Sequence, residues 1–122
     1  MWVGGGATAT ASHCEFTENG AIGVYCRGAN TKARLTDCTM HHMENGSHGM
    51  FSGGLCADDH AVVDLHGTKT DIHSNEVCGI RASISAKVNI HLPSQHNTSH
   101  DNVGEDQAQG SGGSITNINA DD

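Results

Sequence analysis

Short runs of alternating apolar and polar residues recur along the chain. Ala33-Arg34-Leu35 and Ala86-Lys87-Val88-Asn89-Ile90 carry the two-residue period of a half-buried strand. Comparable β-prone runs fall at residues 7–11, 14–16, 38–40 and 61–65, with Ile72 beyond. Further runs lie at 22–25, 50–51 and 80–84, and Gly, Asn, Ser and Asp separate them as turn residues. No segment holds an i, i+3, i+4, i+7 apolar face through two turns. The frequent glycines would each cost about 1 kcal/mol in a helix. The pattern predicts many short strands and no helix.

A longer period organises these runs. Asn, three residues, Gly and an apolar residue recur as Asn19…Gly23-Val24, Asn45…Gly49-Met50 and Asn75…Gly79-Ile80, and Asn102 follows without the glycine. The asparagines are 26, 30 and 27 residues apart. Such spacing marks units that bury their apolar faces by stacking on their neighbours. Propeller blades need about 40–45 residues, and a leucine-rich repeat needs more than the four leucines present. What remains is an all-β, single-domain parallel β-helix, or solenoid, of about four coils stacked roughly 4.8 Å apart. Asn19, Asn45 and Asn75 are then expected to form a ladder of side-chain amides. Gly23, Gly49 and Gly79 are expected where the backbone turns sharply or needs positive φ. Val24, Met50 and Ile80 should point inward.

The string apolar-x-x-Asn-x-x-x-Gly-apolar resembles the repeat of right-handed parallel β-helix proteins. These include pectate-lyase-like carbohydrate enzymes, the β-helix part of F-box proteins and predicted repeat proteins of single-celled algae. Cys14-x-Phe16-x-x-Asn19-x-x-x-Gly23-Val24-Tyr25 is its clearest instance, and residues 61–80 are the second. Residues 33–50 match with two extra residues before Asn45, which places His41-His42 in a bulge or short loop. The resemblance covers about residues 7–92. The expected organisation is a Gly-rich segment at 1–6, coils at 7–102, and a polar tail at 103–122. Within that tail, 103–113 reads as a loop and 114–118 as a terminal strand.

Composition sharpens this picture. Of 122 residues, 35% are apolar, 3% are aromatic and 16 are Gly, too poor for a thick globular core but enough for one narrow apolar column. The formal charge of −8 disfavours nucleic acid and anionic membrane surfaces. No apolar run reaches the length of a transmembrane helix, and the first residues lack the features of a signal peptide. Five cysteines, Cys14, Cys26, Cys38, Cys56 and Cys78, contain no CxxC pair. They read as free buried thiols, with a Cys14–Cys38 disulfide as the alternative.

Candidate chemistry is sparse. His66 falls in register with His91, and His73 with His100, with Asp64 and Asp71 nearby. Such columns could bind a transition metal, but no HxH or HExxH motif is present, and surface histidines are the expectation. Asp37, Asp64 and Asp71, with Arg34, Arg81 and Lys87, are the acidic and basic candidates for carbohydrate chemistry of the kind the resemblance implies. Asp58-Asp59-His60 is the nearest cluster and sits in a turn. No catalytic residues, metal or cofactor are expected. The expectation is a non-catalytic structural or protein-interaction module, an accessory subunit of a larger assembly bound to protein partners. The alternative is a carbohydrate-active or carbohydrate-binding β-helix protein. The algal resemblance implies a photosynthetic membrane complex and a chloroplast location.

Overall fold

The structure, a computed structural model, describes residues 1–18, 22–44, 53–93 and 96–118. Among them are fourteen strands, numbered in chain order, and no helix. The first sheet stacks β1 (Trp2–Gly4), β4 (Ile22–Arg27), β7 (Gly53–Asp58), β10 (Cys78–Ser83) and β13 (Glu105–Gly110). The second stacks β2 (Thr8–Ser12), β5 (Lys32–Thr36), β8 (Val62–His66), β11 (Lys87–Ile90) and β14 (Ser114–Asn117). The third stacks β3 (Glu15–Thr17), β6 (Thr39–His41), β9 (Asp71–His73) and β12 (Ser99–His100). Every pairing is parallel. The chain is a three-sided β-solenoid of about four turns, as the repeat predicts.

The core is a set of vertical columns. Ala9, Ala33, Val63, Val88 and Ile115 stack in the second sheet, as do Ala11, Leu35, Leu65 and Ile90. Phe16, Met40 and Ile72 stack in the third. Leu35, Met40, Val63, Leu65, Ile72 and Val88 are completely buried. This narrow core explains how so few apolar residues suffice, because each strand contributes one or two inward positions and its neighbours above and below cover them.

Three corners close each coil. Between the first and second sheets the turns Gly4–Ala7, Asp58–Ala61, Ser83–Ala86 and Gly110–Gly113 are bridged by N–H···O bonds of 2.8–3.2 Å. Their central pairs have positive φ throughout: Gly5-Gly6, Asp59-His60, Ile84-Ser85 and Ser111-Gly112. These are type I′ turns. Between the second and third sheets a single left-handed residue suffices, namely His13, Asp37 or Gly67. Between the third sheet and the next coil, Glu18, His42, Ser74 and Asp101 take φ of 54–59°.

The register corrects several sequence expectations. Val24 faces Leu55, and Leu55 faces Ile80, so Leu55 holds the inward place expected for Met50. Gly54 thus stands level with Gly23 and Gly79, in the place expected for Gly49. Residues 45–52, including Asn45, Gly49 and Met50, lie outside the described residues. His41-His42 is not a bulge: His41 ends β6 and pairs with His73. The extra length of this coil lies after Met43, which precedes Gly54 by eleven residues where Asn75 precedes Gly79 by four. At the chain ends, β1 draws residues 2–4 of the expected Gly-rich segment into the first sheet. Residues 105–110, expected as loop, form β13 on β10. Glu-Asp-Gln-Ala-Gln-Gly lacks apolar alternation, and backbone pairing with β10 is what makes it a strand.

Candidate functional site: the polar ladders of the third sheet

The asparagine ladder lies at the corner beyond the third sheet. The register Met40–Ile72–Ser99 carries forward to Met43, Asn75 and Asn102. Met43, not Asn45, therefore occupies the second rung, and Asn19 lies outside the described residues. Asn75 is fully buried. Its Oδ1 accepts the Met43 N–H at 3.0 Å, and its Nδ2 donates to Asn102 Oδ1 at 2.8 Å and to Met40 O at 3.4 Å. Asn102 Oδ1 also accepts the Asn75 N–H at 3.0 Å. Each amide thus satisfies the corner backbone of the preceding coil, where no sheet bond is available. Asn102 Nδ2 ends on Asp106 Oδ1 at 3.0 Å and on Ser99 Oγ at 3.2 Å.

The glycine column serves this ladder by close approach and not by positive φ. None of Gly23, Gly54 and Gly79 has left-handed φ. A Cβ on Gly54 would stand 2.7 Å from Ile72 Cγ2 and 2.9 Å from Asn75 Nδ2. One on Gly79 would strike Ser99 Oγ and Asn102 Nδ2, and one on Gly23 would meet Gly54 O at 2.6 Å. In the last coil Asp106 takes this position, paired with Gly79 by register, and turns its carboxylate onto Asn102.

Outside the third sheet the histidines stack. His41, His73 and His100 are consecutive rungs, with ring centroids 5.1 and 5.5 Å apart and nearly parallel planes. His66 and His91 stack at 4.2 Å on the neighbouring edge. The two pairs legible in the sequence are present, and His41 extends one of them. The ionised carboxylates accept, so the facing ring nitrogens donate. Glu15 lies 2.7 Å from His41 Nε2, Asp64 lies 2.7 Å from His91 Nε2, and Asn89 also donates to Asp64. His100 sits between Asp71 on Nε2 and Asp101 on Nδ1, at 2.7 and 2.8 Å. With the His41 proton on Nε2, its Nδ1 accepts from His42 Nδ1. His73 Nδ1 meets Ser74 Oγ at 2.8 Å.

Charge is distributed unevenly along this stack. Asp101, followed by Asp71, raises the His100 pKa above the ordinary 6.5, against desolvation. Burial pushes His73 down against the opposing charge of Asp71, and neighbouring His41, His100 and His42 also disfavour its charge. Stacked rings hold their nitrogens side by side, whereas a metal ion needs donors converging within about 2.0–2.1 Å of one point. Among the described residues no three His, Cys, Asp or Glu side chains are so placed.

The remaining candidates are dispersed. Asp37 accepts the Lys69 N–H at 3.1 Å in a corner. Asp58 is buried beneath Tyr25 Oη at 3.2 Å and Ser83 Oγ at 3.3 Å. Lys69, Asp71, His96 and His100 share an open hollow of about 510 Å³. No disulfide joins the five cysteines, four of which are buried and one, Cys14, exposed. Cys38 Sγ–H donates to Thr36 O and Cys14 Sγ–H to Ser12 O, both at 3.4 Å. Burial pushes the Cys26 thiol up to about 11. No described helix is long and apolar enough to cross a membrane.

Fold and ladders together define the class, a parallel β-solenoid with an internal asparagine ladder. No protein-family model, curated protein or solved structure matches the chain.

Proposed function

We propose that this solenoid is a structural, protein-interaction module without catalytic activity, serving as an accessory subunit of a larger assembly. The observation carrying this reading is that each terminal coil has a described neighbour on one side only: β1, β2 and β3 at one end, and β13, β14 and β12 at the other. Along β2, Lys32 N–H donates to Ala7 O and His13 N–H to Thr36 O, each at 3.0 Å. Parallel ladders alternate, so Thr8, Thr10 and Ser12 turn their backbone groups away from β5. Such an edge is a template for a strand of another chain. At the opposite end Gln109 Oε1 accepts the Ile115 N–H at 3.3 Å, which covers part of that edge, while Asn117 lies beyond it. Kinship with pectate-lyase-like, F-box-associated or algal β-helix proteins, and a place in a photosynthetic membrane complex, are the finer parts of the reading and rest on the motif resemblance.

The test is the native mass of the untagged protein in its source, with identification of what co-migrates. A stoichiometric partner is expected, and Thr10→Pro or Asn117→Pro should release it, because proline at an edge removes a donor and leaves the inner ladder intact. A lone chain of 12.7 kDa would sink the proposal. Carbohydrate binding is the second reading, favoured by the polar hollow holding Lys69, Asp71, His96 and His100. Amide shifts confined to those residues on adding acidic oligosaccharides would support it.

A further inference from the structure

Cys56 lies within β7 and Cys78 opens β10, on adjacent coils. Gly53, with no side chain of its own, lets both cysteines crowd against its backbone. A Cβ there would stand 2.9 Å from Cys78 Sγ and 3.4 Å from Cys56 Sγ, so both sulfurs converge on the same space. The Cys56 thiol donates to the Cys78 sulfur, which pushes Cys56 up and Cys78 down. Arg81 pairs with Cys56 in register, and its charge favours the thiolate of both. Asp58 opposes it at Cys56 and Glu105 at Cys78. The two cysteines are 3% and 2% exposed. Cys26, by contrast, is a buried thiol whose pKa is moved by desolvation without a charged partner.

We propose that Cys56 and Cys78 form a two-coordinate site for a soft monovalent metal ion of the Cu(I) class. Thiolates are the donors that select Cu(I). Among the described residues no third His, Cys, Asp or Glu completes a set, and two sulfurs alone fall short of the four-ligand cage of structural zinc. An ion bridging two sulfurs needs them only slightly further apart than an S–H···S bond holds them. Binding replaces two S–H bonds by two S–Cu bonds and releases two protons, with no change of oxidation state. The product carries one negative charge, which Arg81 offsets in a site sealed from water. The proposal stands independently of the partner reading.

The experiment is anaerobic Cu(I) titration of the reduced full chain against a colorimetric Cu(I) chelator. One equivalent is expected to resist the chelator. Cys56→Ser and Cys78→Ser should each abolish that binding, and the Cys14→Ser/Cys38→Ser double variant should retain it. Arg81→Met should weaken it by about 10–100-fold, the usual effect of losing an outer partner. Because serine at a buried site can disturb folding, the wild-type chain is also titrated with Ag(I) and followed by amide NMR. Shifts centred on residues 53–58 and 78–81 are expected. No competitive binding, retention by a folded Cys56→Ser chain, or shifts centred on Cys14 and Cys38 or on the histidine stack would each overturn the assignment.

Discussion

Asn75 ties three coils together through one side chain, reaching Met40 and Met43 on one side and Asn102 on the other. Asn75→Ala leaves the buried Met43 N–H without an acceptor and breaks the amide chain. At about 1–3 kcal/mol per buried polar group left unsatisfied, the expected loss is about 3 kcal/mol, read from the urea midpoint at constant slope. The histidine rungs titrate apart. Protonated His100 is stabilised between Asp101 and Asp71, so its contribution to stability is complete below pH 6.5 and is lost as pH rises through its raised folded value. His73 works in the opposite sense. Its neutral form is favoured by burial, so its contribution holds above pH 6.5 and is lost as pH falls through its lowered value. Imidazole NMR titration should place His73 below and His100 above the ordinary value, and Asp101→Asn should lower His100 further than Asp71→Asn does. The same midpoint for both rings would refute this account.

At the scale of the element, the turns decide where strands stop. Ile84 is a β-branched residue at φ 51° with 44% of its surface exposed. Left-handed backbone costs such a residue about 1–2 kcal/mol, and asparagine suits the type I′ position. Ile84→Asn should therefore raise stability by about 1 kcal/mol, measured by thermal unfolding. Gly54→Ala should act in the other direction, since its Cβ would press on Ile72 and Asn75. Overpacking of this kind costs about 1–3 kcal/mol. Gly54 was obscured in the sequence because Gly49 follows Asn45 at the spacing of the motif. Strand pairing shows Gly54 level with Gly23 and Gly79. The same coincidence hides His41, because motif spacing puts the excess length before Asn45 whereas strand pairing puts it after Met43.

Over the whole molecule, stability is distributed along one axis. Each coil contacts its neighbours, so the end coils lose half of their support. In the first coil β2 and β3 carry half-buried and exposed residues, β2 alternating between the two, whereas β7 in the middle coil is buried throughout. Native-state hydrogen exchange should rank β7, β8 and β9 as the slowest to exchange, and β2, β13 and β14 as the fastest. Uniform protection along the stack would contradict a nearest-neighbour solenoid. The same gradient makes the ends the surfaces that gain most from a partner, which is the physical basis of the proposed role.

The fold was legible in the sequence because stacking forces like residues into columns. The Asn and Gly spacing, the two-residue alternation and the scarcity of apolar side chains all describe a narrow parallel solenoid. The His66–His91 and His73–His100 pairs were legible for the same reason. Tertiary structure alone decided the rungs. An insertion inside a coil shifts every later residue in the count but leaves backbone pairing unchanged, so Met43, Leu55 and Gly54 hold places that spacing assigned to Asn45, Met50 and Gly49. It also decided the strand at residues 105–110, whose side chains give no alternation and whose backbone pairs because β10 offers it an edge. The meeting of Cys56, Cys78 and Arg81 depends on coil-to-coil register, which no local pattern in the chain encodes.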